Sequence, residues 1–149
     1  MKKYAFISLI AAIVFLFSAC TKLDPFENYE NFIMDMDITS RFDEAFYYVN
    51  KGDTSPFFIS SVEALYFDLE SYDESDVDKD APEMEDQIDP GDINQYYTDC
   101  VRLLLRAIDY NKEGKPQTAQ IQLTNAMDLY RKAQEIYVQF LEQSGRKNR

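Results

Sequence analysis

The chain contains no histidine and no tryptophan, and only four glycines and two cysteines among 149 residues. Without histidine there is no Ser-His-Asp or Cys-His arrangement, no histidine-ligated metal, and no side chain whose ordinary pKa lies near neutrality. Four scattered glycines leave no glycine-rich loop to cradle a phosphate. Basic residues are also scarce: 15 Lys and Arg stand against 27 Asp and Glu, a formal net charge of −12. That balance repels nucleic acid and anionic headgroups, so neither is expected as a partner. The period-two alternation of a half-buried strand is missing throughout, and no repeat is seen, including the 34-residue period of tetratricopeptide arrays. Long apolar runs are missing too, with one exception at the start of the chain.

That exception runs from Tyr4 to Phe17, broken only by Ser8, after the basic pair Lys2 and Lys3 and before the small residues Ser18 and Ala19. A basic start, an apolar middle and small residues at the end form the order of a secretory signal peptide. As a helix, Tyr4 to Ala19 would span about 24 Å, short of a hydrocarbon core of about 30 Å, so a permanent transmembrane helix is the poorer reading. Phe17-Ser18-Ala19-Cys20 resembles the lipobox of bacterial lipoprotein precursors. The resemblance implies cleavage before Cys20 and covalent lipid, with acyl chains such as palmitate, on its thiol. Thr21 to Pro25 is similar to the start of many lipoproteins of the Bacteroidota, and Thr21 is not the aspartate that retains enterobacterial lipoproteins in the inner membrane. The implied address is the outer membrane. The expected organisation is therefore a signal peptide over residues 1–19, a lipid-anchored tether over 20–26 and a helical domain over 27–149. With Cys20 acylated, Cys100 has no disulfide partner, and the fold must stand on its core.

Charge divides along the chain. Residues 20–99 hold 22 acids and 4 bases, whereas residues 100–149 hold 5 acids and 9 bases. The apolar pattern is helical throughout. Ile38, Phe42, Ala45 and Val49 share one face, with Ser40 and Asp43 placed as an approximate capping box and Gly52 as the stop. Tyr29, Phe32, Ile33 and Met36 suggest a short helix before it or an extension of it. Phe58, Val62, Leu65, Leu69 and Tyr72 form the next face, opened by a capping Ser55 and by Pro56 at the first helical position. Ile93, Tyr97, Cys100, Leu104 and Ile108 make a stripe that Val101, Leu103 and Leu105 widen, so this helix must be covered on more than one side. Gly114 ends it, and Pro116 opens a helix whose Ala119, Leu123, Ala126, Tyr130, Ala133, Tyr137 and Phe140 alternate steps of four and three. The short turn forces an antiparallel helical hairpin over 92–143. The fold class is all-α: a small helical bundle with a C-terminal hairpin and a long acidic loop over 73–91.

That loop supplies the first candidate site. Asp76, Asp78 and Asp80 alternate as the first three ligands of a calcium loop do, since a hard cation needs several converging oxygens. The sixth position, however, is Ala81 where a sharp turn requires glycine, and the twelfth is Gln87 where a bidentate Glu is expected. A solvated acidic linker is the plainer reading, with calcium binding as the alternative. Cys100 lies inside an apolar stripe, where a thiol behaves as a small hydrophobe. Acids in a loop are not held at the fixed separation that a glycosidase pair needs. The chain is therefore not expected to be an enzyme and needs no cofactor beyond its lipid. Eleven tyrosines and eleven phenylalanines, with neighbours such as Tyr47-Tyr48 and Tyr96-Tyr97, cannot all face inward, and exposed tyrosine is a common interface anchor. Arg102, Arg106, Arg131 and Lys132 offer a basic patch on the hairpin. The functional expectation is a non-enzymatic accessory or scaffold subunit, bound to the membrane by lipid and to another envelope protein by its bundle. A calcium- or ligand-binding surface lipoprotein is the alternative.

Overall fold

The structure, a computed structural model, describes residues 25–72, 88–143 and 145. The expected signal peptide, Cys20, and the acidic residues Asp76, Asp78 and Asp80 lie outside the described residues. Five helices and no strand occur among those described: α1 (Pro25–Asp35), α2 (Ile38–Asn50), α3 (Pro56–Glu70), α4 (Pro90–Lys112) and α5 (Pro116–Gln143). The protein is all-α, and its C-terminal pair α4 and α5 forms the most extensive helix contact.

The helix boundaries follow local chemistry, though not always the chemistry expected. Between α1 and α2 the chain turns at Asp37, which takes a left-handed conformation at φ 47°, a region that Asp tolerates better than most residues. This break separates α1 from α2 and makes Ile38 the first residue of α2. The expected capping box is not formed, because Ser40 lies inside the helix and Asp37, at the cap, makes no side-chain cap bond. At the other end of α2, Gly52 (φ 73°) donates its amide to Val49 O and Asp53 donates to Tyr48 O, both at 3.0 Å. Gly114 (φ 69°) repeats the arrangement after α4, with its amide bonded to Asn111 O at 3.0 Å and that of Lys115 to Tyr110 O at 2.8 Å. These paired bonds satisfy carbonyls that a helix end otherwise leaves open, and they need a left-handed residue that glycine adopts without strain.

Pro56 occupies the first turn of α3 as expected, but the Ser55 hydroxyl makes no cap bond; its amide instead donates to Asp53 Oδ1 at 2.7 Å. Pro90 and Gly91, read from sequence as the end of the acidic loop, are the first residues of α4. Asp89 is the reason, since its Oδ1 accepts the Gly91 amide at 2.8 Å and Pro90 needs no donor at the first position. Pro25 and Phe26, expected in the tether, likewise belong to α1.

Helix α4 is the shared element. It packs against α5 along its length and against α3 on another side, with smaller contacts to α2 and α1. Ile93, Tyr97, Cys100, Val101, Leu104, Ala107 and Ile108 are all buried. The facing seam of α5 contributes Ala119, Leu123, Ala126, Ala133 and Phe140 to the core, with Tyr130 and Tyr137 half-buried. Alanines in that seam let the two backbones come close enough for the Cys100 thiol to donate to Ala126 O at 3.1 Å. At one end of the bundle, the Tyr29 ring of α1 stacks on Phe32 and meets Tyr72, Tyr137 and Phe140 edge-on, at centroid distances of 5.0 to 6.2 Å. Nearer the middle, Phe42, Tyr97 and Tyr130 form a second cluster.

Leu104 is fully buried where α4 meets its neighbours. Leu104→Ala is expected to cost about 2–5 kcal/mol, and Leu104→Asp, which places an unpaired charge there, to abolish the folded state. Circular dichroism melting of the two variants measures both; an unchanged melting temperature in Leu104→Asp would contradict this packing.

Candidate interaction surface

The outer side of α3 is unusual for a helix at the edge of a bundle. Phe58, Val62, Leu65 and Leu69 face inward. A polar outer side would complete the amphipathic pattern. Instead Phe57 is 85% exposed and Phe67 65% exposed, and between them the exposed positions are Ser60, Ser61, Ala64 and, at the border of the strip, Glu63. An exposed phenylalanine forfeits roughly 1.5–3 kcal/mol of burial, so two on one rigid face form a surface suited to a partner. The sequence singled out only the buried side of α3. The signal for the other side was present in Phe57, Ala64 and Phe67, which recur at steps of seven and three.

Charges border this strip. Towards α4, Tyr66 and Glu70 meet Arg102: the Tyr66 hydroxyl donates to Glu70, and Arg102 donates to Tyr66 Oη at 3.2 and 3.3 Å, to Glu70 Oε1 at 3.2 Å and to Asp99 Oδ1 at 2.8 Å. Towards α2, Arg41 pairs with Asp68 at 2.6 Å. Glu63, on the α4 side of the strip, and Glu44, on the α2 side, have no ion-pair partner among the described residues. Between α2 and α3 a hollow of about 10 Å³ is lined by Arg41, Glu44, Phe58 and Ser61, enough for one water. On α2 itself, Tyr47 is 58% exposed, with Tyr48 beside it in contact with the Phe58 ring at 5.4 Å.

Three of the four basic residues singled out in the hairpin are held by separate partners. Arg102 is turned towards α3. Arg131 pairs with Asp128 at 3.0 Å, one turn earlier on α5. Lys132 Nζ lies 4.5 Å above the Tyr96 ring, within cation–π range. Arg106 is exposed on α4, without an ion pair among the described residues. Sequence reasoning placed these residues on one hairpin but had no view of α3, whose Tyr66 and Glu70 engage Arg102.

The buried titratable groups are structural in their setting. Burial pushes the Cys100 thiol well above its ordinary value of 9.0. Burial likewise raises the phenols of Tyr29 and Tyr97 above 10.0, with neighbouring phenols adding to the effect. Tyr97 is fixed by Gln134, whose Nε2 donates to its Oη at 2.9 Å. Among the described residues no group of three Cys, Asp or Glu comes together to hold a metal, and no helix is long and apolar enough to cross a membrane. Compared with protein-family models, with curated proteins and with solved structures, the chain matches none.

The raised phenol and thiol values carry a pH dependence. The folded state holds these protons more tightly than the unfolded chain, so the stabilisation is complete below the ordinary values and is lost as pH rises through and beyond them. The melting temperature is expected to be insensitive to these groups near neutrality and to fall steadily above about pH 9–10, while Cys100 alkylates only on unfolding. A native thiol that reacts at neutral pH as fast as in denaturant would contradict the placement of Cys100.

Proposed function

We propose that this protein is a non-enzymatic outer-membrane lipoprotein, tethered by lipid on Cys20, that acts as an accessory or scaffold subunit binding another cell-envelope protein. The observation that carries the reading is the pair of phenylalanines, Phe57 and Phe67, on the outside of a rigid helix. Exposed aromatic side chains grouped on one face mark contact surfaces more often than scattered ones do. The lipobox-like Phe17-Ser18-Ala19-Cys20 supports the anchoring half of the proposal. Acyl chains contribute about 0.8 kcal/mol per buried methylene, so two or more hold a small domain durably on a bilayer. A partner tethered in the same membrane is then met at high effective concentration, and a modest interface suffices.

Cys20→Ala is expected to abolish incorporation of labelled fatty acid and to release the protein from sedimenting membranes. Crosslinking in intact cells is expected to join the wild-type protein to one dominant envelope protein, and to lose that product in the variant. Unchanged labelling and sedimentation of Cys20→Ala would refute the anchor, and the lack of any specific crosslinked envelope protein would refute the subunit role.

A further inference from the structure

Resting on the accessory-subunit reading, we propose that the outer face of α3 from Phe57 to Phe67 docks a basic amphipathic helix of the partner protein. The two phenylalanines are ten positions apart, about 15 Å along the axis at 1.5 Å per residue. A helix laid alongside would therefore cover the strip with about three turns, presenting apolar residues at steps of three and four. Ser60, Ser61 and Ala64, all small and exposed, lie between the phenylalanines and let a neighbouring helix approach closely. Phe57 and Phe67 then serve as the anchors at the two ends.

Charge selects the occupant. The α3 sequence contains no Lys or Arg. Of the acids bordering the strip, Asp68 is neutralised by Arg41, and Glu70 by Arg102. Glu44 and Glu63 remain, one on each side, with no ion pair among the described residues. A helix with Lys or Arg flanking its apolar stripe would meet both. A second copy of this chain would bring Glu44 and Glu63 against the same acids, within a pair of molecules in which acids far outnumber bases. A lipid surface recruits flanking Lys and Arg, and this face offers none that is not already paired.

The test uses the purified lipid-bearing protein in phosphatidylcholine nanodiscs, with benzoylphenylalanine as a photocrosslinker replacing the exposed Ser71, one turn beyond Phe67 and clear of the small residues. Two probes of identical composition are compared: a Leu/Lys peptide of about five helical turns patterned with one apolar face, and its scrambled counterpart. The patterned peptide is expected to crosslink about tenfold more efficiently than the scrambled one, a preference that Phe57→Ser with Phe67→Ser erases. Glu44→Gln with Glu63→Gln is expected to weaken the crosslinking and to flatten its salt dependence. Because both phenylalanines are largely exposed, the serine variant is expected to keep its circular dichroism and melting temperature. Equal yields from the two peptides, or a yield indifferent to the serine variant, would overturn the proposal. So would adducts formed only with lipid or with a second copy of the chain. Failure here, with Cys20-dependent labelling and a cellular crosslink intact, would remove the α3 strip and leave the subunit reading standing. Should the Cys20 experiments fail, the peptide comparison is made on the protein in solution, where the same preference for the patterned peptide is expected.

Discussion

Helix α4 carries apolar residues around more of its circumference than one neighbouring helix can cover, and the other helices are arranged to cover it. Its Ala107, Leu104, Cys100 and Tyr97 lie buried towards α5, and Val101 widens the apolar surface beyond that single stripe. Polar side chains on the same helix secure the neighbours at their ends. Asn94 Nδ2 donates to Leu69 O at 2.8 Å, near the C-terminus of α3, and Asn111 Nδ2 donates to Val49 O at 3.3 Å, near the C-terminus of α2. Both acceptors belong to the last turn of a helix, where carbonyls lack intrahelical partners; each also takes one turn amide, Val49 O from Gly52 at 3.0 Å and Leu69 O from Tyr72 at 3.3 Å, and the asparagine adds a second donor. A single helix thus buries the core and ties down two helix ends, so a change on α4 is felt by α2, α3 and α5 together.

This dependence explains what could be read from the residues and what could not. Burial on one face repeats every three or four positions, so the inward sides of α2, α3, α4 and α5 were legible in Ile38 to Val49, Phe58 to Leu69, Ile93 to Ile108 and Ala119 to Phe140. Gly52, Pro56, Gly114 and Pro116 act through backbone conformation alone, and they mark helix ends as expected. Hydroxyl and carboxylate caps were less legible, because their use depends on a local choice among competing donors. Ser40 fell inside a helix once Asp37 took the left-handed turn, and Asp89 drew Pro90 and Gly91 into α4. The partners of the basic residues were not legible at all, since Arg102 reaches Glu70 across 32 positions. The candidate docking strip was half visible: the apolar residues could be counted, but only the packing of α3 against α4 decides which of them remain outside.

The distribution of charge gives the surface its character. Most acids lie before residue 100, and most bases follow it. Where the two halves meet, at the contact of α3 with α4, the cationic side chain is satisfied by hydrogen bonds to Tyr66, Glu70 and Asp99. The opposite border of α3 has its own pair, Arg41 with Asp68. What remains unpaired along the borders of α3, among the described residues, is acidic, and it brackets the apolar strip. A membrane tether at Cys20 would turn this modest surface into an effective one, by confining the domain to the plane in which its partner lies.

Native-state hydrogen exchange of the whole chain tests the central role of α4 most directly. Protection is greatest in elements that open only with global unfolding. The amides of α4 from Cys100 to Ile108 are therefore predicted to exchange with the full free energy of unfolding and the full denaturant dependence, while those of α1 and α3 open at lower cost. Exchange of the α4 amides by a local opening, with α1 or α3 still protected, would contradict the account.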